Sequence, residues 1–161
     1  MENGAIYYAK HQDIYVIKLT GDVRYQLGCS FDDFLKRLFT REDFIDIVID
    51  LTEARMIDST CLGLLAKIAK YVLHRFGRKV TIFSTNEDIN QILNGIGFYA
   101  VFNICNAYPA TTGNDDQVIE CASDRSHLAK TLYDAHLILS ELNDKNREMF
   151  RNVLEELQDE C

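Results

Sequence analysis

Asp58, Ser59, Thr60 and Cys61 follow one another between an extended apolar stretch and an apolar helix, placing a carboxylate, two hydroxyls and a thiol side by side. Three chemistries suit such a group: a nucleophile with its helpers, a modifiable hydroxyl acting as a switch, or a helix cap. A serine or cysteine nucleophile needs an activating base. The chain offers His11, His74, His127 and His136, and no nucleophile elbow surrounds Ser59 to pair it with one of them. Capping needs only what is present, because Asp, Ser and Thr side chains accept hydrogen bonds from the first free amides of a helix. From spacing alone the cap is the favoured role.

Other chemistries find less support. The eight glycines form neither a Walker loop nor a Gly-x-Gly-x-x-Gly turn, which argues against a nucleotide enzyme. Asp32-Asp33, Asp115-Asp116 and Glu155-Glu156 are paired acids without a completing histidine spacing, so no metal site and no cofactor are expected. The five cysteines, Cys29, Cys61, Cys105, Cys121 and Cys161, are odd in number and lack Cys-x-x-Cys pairs, the pattern of reduced and mostly buried thiols. A formal charge of −8 argues against direct nucleic-acid binding. No apolar run approaches the roughly 18 to 20 residues of a membrane span, and MENGAIYYAK lacks the flanks of a signal peptide, so a cytoplasmic protein with no membrane contact is expected.

The elements that must position the Asp-Ser-Thr group follow from hydrophobic periodicity. Ile6 to Ala9 and Ile14 to Leu19 read as a strand hairpin with Lys10 to Asp13 as its loop. Ser30 reads as the N-cap of a first helix carrying Phe31, Phe34, Leu35, Leu38 and Phe39. Ile45 to Leu51 is a β-branched strand, and a helix from about Cys61 runs to Gly77 with His74 and Arg75 at its carbonyl end. Val80 to Phe83 is a further strand, Ser84-Thr85-Asn86 caps a helix with Ile89, Ile92, Leu93 and Ile96, and Ala100 to Ile104 reads as a last strand.

Residues 106–125, with the one proline, Pro109, read as a linker or long loop. In residues 126–161 Leu128, Leu132, Ala135, Leu139, Leu142, Met149 and Val153 recur in steps of four and three, with Asn146 filling one position. This predicts one long helix as a C-terminal extension, docked on its own domain; the alternative is a homodimer through this helix. Strands alternating with helices after an opening hairpin predict an α/β domain over residues 1–105 with a mixed sheet.

The order Asp50-Leu51-Thr52, Ile57-Asp58-Ser59-Thr60, Leu62-Gly63-Leu64-Leu65 resembles the signature of the STAS domain of anti-sigma-factor antagonists. Leu19-Thr20-Gly21-Asp22 is similar to the family's early loop. Val80 to Phe83 followed by Asn94-Gly95-Ile96-Gly97-Phe98 is similar to its late strand, helix and turn. The resemblance covers about residues 5 to 105 and implies a STAS-like fold.

It also implies a function. In that family the serine after the aspartate is phosphorylated by an anti-sigma factor that is itself a serine protein kinase, and a PP2C-type phosphatase reverses the step. The unphosphorylated form binds the anti-sigma factor and frees the sigma factor. By position the phosphoacceptor is Ser59, with Thr60 as the alternative, and the implied partner surface comprises Asp22, Arg24, Asp58, Thr60, Cys61, Gly63 and Lys67. Cys61 stands where the family usually has a small residue. Arg24 stands where an acid is frequent, and can pair with Asp58 or the phosphate. The chain is then a kinase substrate and not an enzyme. The alternatives are an unphosphorylated STAS module that binds a small molecule or serves as a signalling scaffold, and a small hydrolase using Ser59 or Cys61.

Overall fold

Every second residue of the second strand is buried, and this alternation sets one face of the sheet. The computed structural model describes residues 3–109, 116–117 and 125–158. Strands β1 (Ala5–His11) and β2 (Ile14–Val23) form the expected hairpin. Its turn is shorter than the sequence suggests, only Gln12-Asp13, with Gln12 at φ 59.

A 3-10 turn, Tyr25–Leu27, leads directly into α1 (Gly28–Leu38). The continuous chain from turn to helix overrides the expected cap: Ser30 lies inside α1, 3 % exposed. Strand β3 (Asp46–Ile57) is also longer than expected, because residues beyond Leu51 keep pairing with β2, across two register shifts, up to Val23 and Ile57. Helix α2 (Ser59–Phe76) starts one residue after β3 ends and stops at Gly77, whose φ of 67 suits glycine.

Strand β4 (Thr81–Phe83) precedes α3 (Glu87–Gly95), whose N-cap Asn86 accepts from the amides of Asp88 and Ile89. A one-turn helix α4 (Phe98–Val101) occupies the start of the expected last strand, which shrinks to β5 (Asn103–Cys105). Gly97, at φ 85, makes the turn into α4. Strand β6 (Asp116–Gln117) pairs with β1. The sheet order is β5-β4-β3-β2-β1-β6, parallel from β2 through β5 and antiparallel at β1 and β6, the mixed sheet that the opening hairpin implies.

Ile17, Leu19, Ile47, Ile49 and Leu51 of the sheet meet Phe31 and Leu35 of α1 and Leu64, Leu65 and Ile68 of α2, all below 2 % exposure. Each such side chain stabilises the fold by about 1.5 to 3 kcal/mol relative to exposure. This central layer fixes where β3 ends and α2 begins.

The C-terminal segment departs from the expected single helix. It forms α5 (Arg125–Ser140) and α6 (Asp144–Gln158), with Asn143 Oδ1 accepting from the Asn146 amide at the start of α6. Asn146 is fully buried, and its Nδ2 donates to the carbonyls of Ile96 (2.8 Å) and Leu139 (3.0 Å). The polar residue in the apolar stripe thus ties the hairpin to the α3–α4 corner and to the end of α5. Helix α5 packs on α2 and α1 of the same chain. Among the described residues no helix is long and apolar enough to cross a membrane.

Candidate functional site

The peptide between β3 and α2 contains one residue, Asp58, held extended at φ −86, ψ 172. Its amide donates to Val23 O at 3.0 Å. Its Oδ1 accepts from Cys61 N at 3.0 Å, and its Oδ2 from Tyr25 N at 2.6 Å. One carboxylate therefore caps α2 and fastens the 3-10 turn after β2 to the same point. The capping role that spacing allots to the Asp-Ser-Thr group belongs to Asp58, and Ser59 is the first residue of the helix. Its hydroxyl is not required for capping.

That hydroxyl lies 2.8 Å from His136 Nε2 on α5. The other ring nitrogen, Nδ1, is 2.6 Å from the carbonyl of Leu132, one helical turn back. A carbonyl can only accept, so Nδ1 carries hydrogen, and in the neutral ring Nε2 accepts the Ser59 proton. His136 is 4 % exposed, with the Phe150 ring of α6 edge-on at 5.6 Å and 65°. Sequence reasoning counted His136 only among the available bases. A 77-residue separation from Ser59 left no local signal, and the one clue was a histidine beside the apolar stripe Leu132, Ala135, Leu139.

The remaining residues of the implied partner surface divide by burial. Thr60 is 2 % exposed and Cys61 0 %, and Gly63 is buried. A Cβ on Gly63 would lie 2.3 Å from the carbonyl oxygen of Ala135, so α5 crosses α2 at a distance that only glycine permits. Close beside it, Cys29 Sγ is 3.7 Å from Thr131 Oγ1. Burial first, and then the Asp58 carboxylate, push the Cys61 thiol well above its usual pKa, and its Sγ donates to Arg24 O at 3.3 Å. Such a cysteine is a protonated small filler rather than a nucleophile.

Lys67 donates to Asp32 Oδ1 at 2.7 Å, and Lys36 stands 3.2 Å from Oδ2. Burial opposes ionisation of Asp32, yet the hydrogen bonds and charges of Lys67 and Lys36 outweigh it and lower its pKa. Ligand atoms of Asp32, Asp33 and His127 lie within 4.8 Å of one another, but the lysines already occupy both Asp32 oxygens. Arg24 is drawn to Asp22, 3.8 Å away, while the amides of Cys61 and Tyr25 hold Asp58. Asp22 and Arg24 form a partly exposed rim. A separate cavity of about 350 Å³ is lined by Ala66, Ala69 and Leu73 of α2, Val101 of α4, and Ile138 and Leu142 of the C-terminal segment.

A mixed sheet with a hydroxyl at the start of the helix that follows its central parallel strand is the arrangement that the STAS resemblance implies. The STAS domain model matches residues 5–110, and the chain belongs to that family. The fold is similar to that of an anti-sigma factor antagonist from Mycobacterium paratuberculosis, with a TM-score of 0.56 and 15% sequence identity. That match covers 67% of this chain and 87% of the other. No curated protein matches the chain in sequence.

Proposed function

We propose that this chain is an anti-sigma-factor antagonist that works by partner switching, with Ser59 as its phosphoacceptor and Thr60 as the alternative. The observation that carries the reading is the division of labour at the start of α2: Asp58 caps the helix through Cys61 N and holds the preceding turn through Tyr25 N, which leaves the Ser59 hydroxyl unneeded by the helix. A phosphoserine carries about −1.5 to −2 charges, and beside Asp58 it adds repulsion and a desolvation cost to the docking face. The amides of α2 soften that charge for the domain itself, so the scaffold persists while the surface changes. The unmodified form binds an anti-sigma factor that is also the serine kinase, phosphorylation releases it, and a PP2C-type phosphatase restores it. Asp22, Arg24 and Lys67 frame the contact; Asp58, Thr60, Cys61 and Gly63 shape its floor. Phosphoprotein, transcription regulator and cytoplasmic location belong to the same reading.

The test is intact mass after incubation with extract of the source cells and ATP. The expected result is one added phosphate, absent from Ser59→Ala. Phosphate retained in Ser59→Ala moves the site to Thr60 or elsewhere, and no phosphate in the wild type under any growth condition defeats the reading.

The 2.8 Å contact between Ser59 and His136 favours a second reading, a serine hydrolase with His136 as base. Against it, His136 sits behind Phe150 at 4 % exposure, and its Nδ1 is bound to the Leu132 carbonyl rather than to an orienting carboxylate. Labelling of Ser59 by a fluorophosphonate probe would favour the hydrolase; an unlabelled protein supports the switch.

A further inference from the structure

The contacts of α5 fall on the start of α2 and on the turn before it. Ser59 binds His136, the Gly63 backbone meets the Ala135 carbonyl, Thr131 lies beside Cys29 and Gly28, and Ala135 and Leu139 are fully buried. Helix α6 holds α5 in place through Phe150 against His136 and through Asn146 on Ile96 and Leu139. The face that the STAS core would offer a partner is therefore already occupied by the chain's own hairpin.

We propose that the α5–α6 hairpin is a tethered cover of the Ser59 face, closed while Ser59 is unmodified and incompatible with a phosphate there. The proposal rests on the reading of Ser59 as a modified residue and adds how that modification is gated. The ground for exclusion is steric and electrostatic. A phosphate on Oγ removes the proton that half-buried Ser59 donates to the buried imidazole 2.8 Å away, and adds bulk and a dianion at that contact beside the Asp58 carboxylate. Among the described residues of α5, Lys130 is engaged with Asp134 and His127 lies at Asp33, so the α5 group that faces Ser59 is His136, whose Nδ1 is committed to the Leu132 carbonyl.

The consequence is arithmetic. Kinase and partner reach Ser59 only in the open fraction, so apparent affinity equals intrinsic affinity multiplied by that fraction. The tether keeps the competing helix at a high effective concentration, which an external partner must overcome. Once phosphorylated, the chain cannot reclose until the phosphate is removed.

The test uses the full chain with phosphoserine installed at position 59 by codon suppression, without any kinase or partner. Hydrogen exchange of α5 and α6 and N-ethylmaleimide labelling of Cys29, which lies under Thr131, report opening. Both rates are expected to rise by at least about tenfold in the phosphoserine protein, while β2, β3 and β4 keep their protection. Ser59→Ala, which loses one hydrogen bond, should stay within about tenfold of wild type. Ala135→Arg, opened from the hairpin side, should match the phosphoserine protein. An α5 that stays protected with phosphoserine at 59 overturns the proposal, even if Ser59 is phosphorylated in cells. Loss of sheet protection together with α5, in either variant, also overturns it, since the hairpin would then be part of the core and not a cover.

Discussion

The two ends of α2 are secured by different means. At its carbonyl end, Gly77 turns the chain and Arg75 donates to the carbonyls of Arg41 and Phe39 and to the Tyr71 hydroxyl. Tyr71 in turn donates to Phe39 O and stacks on the Phe39 ring at 3.9 Å. These contacts are redundant, largely exposed, and drawn from the adjoining α1 segment. At the amide end each polar group has few substitutes: Asp58 alone serves two amides, and Ser59 has His136, from a segment 77 residues away. One helix thus carries a robust anchor and a conditional one. The conditional end is where the residues implied as a switch reside.

Breaking the amide end should have the largest effect. Asp58→Ala removes a cap and the acceptor of the Tyr25 amide and is expected to cost about 2 kcal/mol in urea unfolding, with Asp58→Asn recovering part of it. Arg75→Ala, at the exposed end, is the control that keeps or breaks the contrast; equal losses in the two variants would abolish it.

Gly63→Ala gives a signed test of the crossing with α5. On an unhindered helix the change gains up to about 1 kcal/mol. Against the Ala135 carbonyl it should instead lose about 1 to 3 kcal/mol, as overpacked sites do, measured by thermal or chemical denaturation.

Acid titration tests a contact at the middle of α2, the Asp32–Lys67 pair. The folded pKa of Asp32 is depressed, so its stabilising share is present above the unfolded value of about 3.9 and is lost as pH falls through the lower folded value. Between neutral and strongly acid pH, wild type should lose more stability than Asp32→Asn, and Lys67→Met should narrow the difference. Parallel curves for wild type and Asp32→Asn would contradict the pairing.

Smaller effects follow. Arg75→Ala is expected to change stability by no more than about 1 kcal/mol, because its charge is exposed and its partners retain other contacts. Cys61, held as a protonated thiol by burial, should resist iodoacetamide in the folded protein at mildly alkaline pH, and Cys61→Ala should bind the partner as wild type does. Rapid alkylation of native Cys61 would overturn its role as a filler.

The parts of the fold that were legible in the sequence are those set by local periodicity. The opening hairpin, α2 with its Gly77 stop, and α3 with its Asn86 cap all follow from residues within a few positions of one another. The misses are where tertiary pairing overrode local signals. β3 continues through the polar Thr52 to Met56 because β2 runs beside it, and Ser30 is not a cap because the chain enters α1 already coiled. The C-terminal stripe kept its period across the break at Glu141 to Asn143, which hid the hairpin. At the site, Ser59 was legible through its neighbours and the family pattern. His136 was not, because the contact depends on how α5 docks.

The central claim is that the unmodified Ser59 face selects a partner and a charge at that position rejects it. The direct measurement is co-purification from the source cells with wild type, Ser59→Ala and Ser59→Asp as baits. The account predicts a serine kinase with anti-sigma activity bound by wild type and Ser59→Ala and weakened with Ser59→Asp. The weakening should be smaller than phosphate would give, because a carboxylate brings one charge and fewer acceptor oxygens. The same partners captured equally by all three baits, with no phosphate on the native protein, would contradict it.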